Sequence, residues 1–176
     1  GAYEPAGSRP GRIAVVTTTY PLAVVTPRVG ALSETFIRRH IDELLPGRTV
    51  VLTGSLRADA AWSVQAPVVE VGRLRPGLAR RGVDAVSRRL GTSPAARLPS
   101  GVERLLKDHD VEVTLAEYMD VSLPWLSLAK DLGRRFYVHA HGYDVSRCLR
   151  DERWRRAYVQ YNEADGVVTM SQYSRG

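Results

Sequence analysis

The 176-residue chain has one cysteine, Cys148, so no disulfide can close within it, and a reducing cytoplasm is the expected compartment. No apolar run approaches the roughly 20 residues that a helix needs to span a bilayer, so no membrane span is expected. The opening residues, GAYEPAGSRPGR, lack the apolar centre of a signal peptide, and residues 1–11 read as a flexible leader. Lysine is scarce: Lys107 and Lys130 are the only lysines, so arginine carries nearly all the charge behind the net +6. Compositional bias alone accounts for such an excess; so does an anionic partner, because arginine suits phosphate recognition. Missing motifs exclude further chemistry. No G-x-G-x-x-G follows the first β-branched run, which argues against a dinucleotide site. Neither a P-loop nor a G-x-S-x-G nucleophile elbow is present. The basic residues are dispersed with no nucleic-acid motif around them, so no nucleic-acid partner is expected.

What is present is a folded composition, 44% hydrophobic and 25% charged, of a length that suits one domain. Arg12 to Thr19, RIAVVTTT, reads as a strand buried on both faces, followed by a long loop marked by Pro21, Pro27 and Gly30. Ser33 stands as the N-cap of a helix carrying Phe36, Ile37, Ile41, Leu44 and Leu45 at helical spacing, stopped by Pro46-Gly47. RTVVLTG and APVVEVG are the next strands. Gly77 to Leu90 reads as a helix with a basic side (Arg80, Arg81, Arg88), and GTSPAARLPS as a loop. Ser100 and Glu103 form an S-x-x-E capping box. Strand VEVTLA, a helix around Trp125 to Leu132, strand RFYVHA, a helix over Asp151 to Ala164 and strand GVVTM complete the order. Alternating strands and helices predict an α/β fold: a doubly wound, mainly parallel sheet with helices on both faces. Ser171 then falls at the N-cap position of a further helix, and the chain reads as part of a longer protein.

In open α/β sheets, ligands bind beyond the carboxyl ends of the strands. The candidate site residues are therefore those that follow each strand: Gly30, Ser33 and Glu34; Glu117 and Tyr118; His141, Gly142, Tyr143 and Asp144; and Ser171. His139 lies inside its strand and reads as a satisfied core histidine, whereas His141 at the strand end reads as reaching the cleft. Gly142 suits close approach of a ligand or a left-handed backbone. Asp144 either caps the next turn or touches substrate. Tyr118 and Tyr143 read as lip packing or as specific contacts. His139-x-His141, completed by Asp144 or Cys148, has the beginnings of a metal site, but no second cluster at ligand spacing accompanies it, and no metal is expected.

Three stretches, SETFIRRHIDELL (33–45), HAHGYDV (139–145) and GVVTMSQYSR (166–175), carry a resemblance to the N-terminal domain of GT-B fold, family 4 retaining glycosyltransferases. The likeness extends over roughly residues 12–175. Within the family the chain looks like bacterial enzymes that build exopolysaccharide, lipopolysaccharide or glycosylated natural products. The resemblance implies that 12–176 is the Rossmann-like, acceptor-side half of a GT-B fold, with the donor-binding domain absent from this chain and the fragment alone inactive. It implies a nucleotide-sugar donor as substrate and no cofactor. The acceptor would be a sugar, a lipid-linked sugar or a natural product. His141 is then expected to face the transferred sugar or the acceptor, and the Gly30–Glu34 loop to approach the donor phosphates. That loop departs from the family pattern of two glycines, having Gly30 followed by Ala31-Leu32-Ser33-Glu34. Relatives with lipid-linked acceptors dock on membranes through a basic amphipathic helix. Arg73, Arg75, Arg80, Arg81 and Arg88 would place that contact at the inner membrane face, against the plainer reading of a solvated helix face. A nucleotide-sugar epimerase of the same architecture and a non-catalytic sugar- or nucleotide-binding module are the competing readings.

Overall fold

The computed structural model describes residues 19–56, 61–73 and 98–170. Within them six strands form one all-parallel sheet: β1 (Leu22–Val29), β2 (Thr49–Leu56), β3 (Val68–Glu70), β4 (Val113–Glu117), β5 (Arg135–Ala140) and β6 (Gly166–Thr169). Their order, β3-β2-β1-β4-β5-β6, reverses direction between β1 and β4. This is the doubly wound arrangement, and that reversal opens a crevice at the carboxyl edge. The described helices are α1 (Thr35–Glu43), α2 (Ser100–Asp108), α3 (Leu123–Asp131), α4 (Gly142–Ser146) and α5 (Glu152–Tyr158).

Alternation along the strands sorts the core into two layers. Ala23 and Val25 of β1, with Val50, Leu52, Ala116, Phe136 and Val138, pack under α2, α3 and the segment from α5 to Tyr161. Leu22, Val24, Val51 and Leu115 face the other way, onto Ile37 and Ile41 of α1 and onto Trp62. Helices therefore cover both faces, as the alternating pattern predicts. Both layers bury β1 residues, which is why this strand is apolar without interruption from Leu22 to Val25.

The position of β1 corrects the reading of the first strand. Of Arg12–Thr19 only Thr19 is described, and it is not in a strand; the stretch read as a loop, Leu22–Val29, is the central strand. Pro27 gave the misleading loop signal. Pairing with β4 stops at Val25, so Pro27 lies where β1 has a neighbour on one side only, a position in which a strand tolerates proline. Around it Thr26 and Thr53, partners in the β1–β2 register, turn their hydroxyls back onto the carbonyls of Arg28 (2.9 Å) and Ser55 (3.0 Å).

Two caps also differ from expectation. The N-cap of α1 is Glu34 rather than Ser33, because a 3-10 turn over Leu32–Glu34 precedes the helix. The N-cap of α2 is Pro99; Ser100 is the first helical residue, and Glu103 pairs forward with Lys107. Asp151 does cap α5, accepting from the Arg153 N–H at 2.8 Å. The helix then tightens into a 3-10 turn at Val159–Glu163, where the Tyr161 hydroxyl donates to the Met119 carbonyl. The basic helix read over Gly77–Leu90, with its membrane-docking face, lies outside the described residues, as does Ser171. Among the described residues no helix is long and apolar enough to cross a membrane.

Gly54 of β2 lies close against the backbone of β1. A Cβ there would sit 2.7 Å from the Pro27 carbonyl oxygen, a backbone atom that cannot swing away. Gly54→Ala is expected to cost about 1–3 kcal/mol. Urea unfolding will show this as a lower midpoint at unchanged slope; an unchanged midpoint would contradict the close β1–β2 contact.

Candidate functional site

Two acidic residues straddle the crevice between β1 and β4. Glu34, at the start of α1, is 2% exposed, and Glu117, the last residue of β4, is 0% exposed. Buried carboxylates need partners, and the two are supplied differently.

Glu34 faces a phenol and a guanidinium. The Tyr118 hydroxyl donates to Oε1 at 2.8 Å, and Arg28 reaches the same oxygen at 3.2 Å from the rim, where it is half exposed. The second oxygen, Oε2, is buried with no hydrogen-bond partner. Burial, followed by the Glu34 carboxylate, pushes the Tyr118 phenol well above its ordinary range, so it stays a donor. Tyr118 also has φ +71°, a left-handed conformation rare outside glycine and costing on the order of 1 kcal/mol or more. Its backbone is pinned on both sides. The N–H donates to the His139 carbonyl at 3.2 Å, and the carbonyl accepts from the buried Ser122 hydroxyl at 2.5 Å. The conformation turns the phenol back across the switch point onto Glu34.

Among the described residues, Glu117 is held by imidazoles alone. His40 of α1 places Nδ1 2.6 Å from Oε1; His139 of β5 places Nδ1 2.8 Å from Oε2; His141 places Nε2 3.0 Å from Oε2. Burial by itself would raise the Glu117 carboxyl, but hydrogen bonds from His139, His141 and His40 outweigh it and hold the group well below the usual carboxylate range. An ionised carboxylate only accepts. Each facing nitrogen therefore carries a proton: Nδ1 of His40 and His139 and Nε2 of His141. The side chain of His141 also faces the Asp144 N–H at the start of α4. Aromatic packing fixes the rings. Tyr118 stacks on His141 at a 4.0 Å centroid distance, and Phe36 lies 4.9 Å from His141 and 5.8 Å from His139.

The structure thus joins Glu34, Glu117, Tyr118 and His141 into one constellation at the carboxyl edge. Gly30 sits just outside it at the end of β1, with φ +98° and its carbonyl accepting from the Ala61 N–H at 2.8 Å. The other candidates are placed as follows. Gly142 opens α4 with helical backbone and no protein atom within 4 Å of a Cβ built on it, so no left-handed turn requires glycine there. Asp144 is fully buried. It takes the cap role, its Oδ2 accepting from the His141 N–H at 2.9 Å and its Oδ1 from the Tyr158 hydroxyl at 3.2 Å. Tyr143 points outward beside Arg147, whose guanidinium lies 5.7 Å from the ring centre. Ser33 falls within the 3-10 turn before α1.

His139 is the buried, satisfied histidine that the sequence suggests, yet its partner is the same carboxylate that holds His141. Neither Asp144 nor Cys148 joins the histidines; Glu117 and His40 do. The ligand atoms of His40, Glu117 and His139 lie within 4.8 Å of one another. His40 was the missed member. Its signal was its place four residues after Phe36 on α1, on the side that faces the sheet. Arg28 was missed with the strand that carries it. Asp120, just past β4, has its carboxyl raised by burial and then by the Asp144 charge.

No family model, no curated protein and no solved structure matches this chain.

Because its folded pKa lies below its ordinary value of 4.5, Glu117 contributes stability that is fully present above that value and lost as pH falls through the acid range. Glu117→Gln is expected to lower stability at neutral pH by about 2 kcal/mol, the worth of hydrogen bonds to a charged group. It should also flatten the decline between about pH 5 and pH 3. Urea midpoints measured across that range check both; parallel pH profiles for the two proteins would refute the assignment.

Proposed function

We propose that the chain is the acceptor-side domain of a two-domain retaining glycosyltransferase. The acceptor, a sugar, lipid-linked sugar or natural product, binds at the carboxyl edge of the sheet, and a second domain across the cleft holds most of the nucleotide sugar. The observation that carries the reading is the placement of His141. It follows β5 directly, its ring is held by Glu117 and sandwiched by Tyr118 and Phe36, and its side chain keeps 9% exposure where that of His139 keeps 2%. An imidazole so fixed presents a hydrogen-bonding group to a ligand hydroxyl without reorganising during the reaction.

Retaining transfer gives the sugar cationic character while negative charge grows on the departing diphosphate. Held by Glu117 at Nε2, the His141 ring can hydrogen-bond a sugar hydroxyl more strongly as that sugar becomes cationic. The half-exposed Arg28, anchored by Glu34, supplies positive charge on the β1 side of the crevice. The strand order favours this edge over any other surface, since the reversal between β1 and β4 is where doubly wound sheets bind ligands.

The test is an assay of the full-length protein carrying this domain against a panel of nucleotide sugars. Glycosyl transfer is expected. Sugar inversion without transfer would favour the epimerase reading, and binding without turnover the non-catalytic module. Within the transferase, His141→Ala is expected to lower kcat by roughly 100-fold, in the range for losing one positioned hydrogen-bonding group. Thermal stability should change much less. Full activity in that variant, or unfolding that parallels the loss, would return His141 to a purely structural role.

A further inference from the structure

We propose that His40, Glu117 and His139 form a binding site for a divalent transition ion of the zinc, cobalt or nickel class. The inference stands on the cluster itself and does not depend on the glycosyltransferase reading. Three elements distant in sequence, α1, β4 and β5, bring two imidazole nitrogens and a carboxylate to within 4.8 Å of one another. Imidazole and carboxylate are the donor types that borderline divalent ions take.

The geometry is near that of a loaded site. Donors 2.0–2.2 Å from a tetrahedral ion lie about 3.3 Å apart. The present contacts, His40 Nδ1 to Oε1 at 2.6 Å and His139 Nδ1 to Oε2 at 2.8 Å, would open by about 0.5–0.7 Å, and the widest separation, within 4.8 Å, would close toward the same value by side-chain rotation. In the loaded site, His40 and His139 each turn the Nδ1 lone pair to the ion and carry a proton at Nε2. His141 stays hydrogen-bonded to Glu117 through Nε2, the kind of outer contact that orients a ligating carboxylate. The fourth position falls on the side of His40, whose side chain is 25% exposed against 0% for Glu117 and 2% for His139.

Charge gives the second argument. Among the described residues every hydrogen bond and ion pair to the Glu117 side chain comes from a histidine; the nearby cation, Arg28, is engaged with Glu34. A fully buried carboxylate with histidines and no described lysine or arginine bonded to it offers the donor set that borderline divalent ions take.

The experiment uses the full chain stripped with a chelator and titrated with Zn²⁺ by calorimetry and with Co²⁺ by visible absorption. One equivalent per chain is expected, with the d–d bands of a low-coordinate cobalt site and a thermal midpoint that rises with Zn²⁺. His40→Ala should weaken binding at least ~10-fold. His40→Gln keeps an N–H donor for Glu117 but is a poor ligand, and it should fold normally while losing the zinc-dependent rise. His109→Ala, altering a histidine at the C-terminal end of α2, should bind like the parent. Absence of saturable binding, or affinity unchanged in His40→Gln, would overturn the site and leave a purely hydrogen-bonded cluster.

Discussion

A carboxylate with no exposed surface and three imidazoles around it is the constraint on which the carboxyl edge depends. Glu117 ends the central strand β4, so its side chain enters the crevice with a direction set by the sheet rather than by a loop. From there it draws His40 in from α1 on one side and His139 and His141 from β5 on the other. Leaving such a charge unpaired would cost several kcal/mol, so the three rings are compelled to stay. Their orientation is a consequence of packing and charge, settled before any ligand arrives. That is the condition a binding or catalytic group has to meet.

The second acidic residue shows the same edge from the other strand. Glu34 is reached across the switch point by Tyr118, and Tyr118 reaches it only by adopting a left-handed backbone. The fold holds that strained conformation with hydrogen bonds at both ends of the residue. Strain that neighbours over-determine tends to gather at functional positions. Because Tyr118 also stacks on His141, the Glu34 and Glu117 systems are mechanically one unit. A ligand that shifts one ring displaces the other.

Much of the fold could be read from residue patterns, because buried parallel strands are continuous apolar runs and amphipathic helices repeat at their own period. β2, β4, β5 and β6 and helices α1, α2, α3 and α5 fall where those patterns lie. β1 did not, since two β-branched runs follow each other and Pro27 looked like a terminator; only the sheet order shows that β4 pairing has already ended there. The site was half legible. Strand ends point to Glu34, Glu117, Tyr118 and His141 by position alone. The cap role of Asp144, three residues after His141, is local and was one of the two readings its position offered. That His40 joins the cluster is a long-range fact: His40 and Glu117 are separated by 77 positions, and no local pattern connects them.

The central claim is that the ionised Glu117 dictates which nitrogen of each histidine carries a proton. Long-range ¹H–¹⁵N correlation of the imidazoles in the chelator-treated chain at neutral pH tests it most directly. The account predicts Nδ1–H for His40 and His139 and Nε2–H for His141, with that pattern lost in Glu117→Gln. Rapidly averaging tautomers, or the same pattern after the substitution, would contradict it.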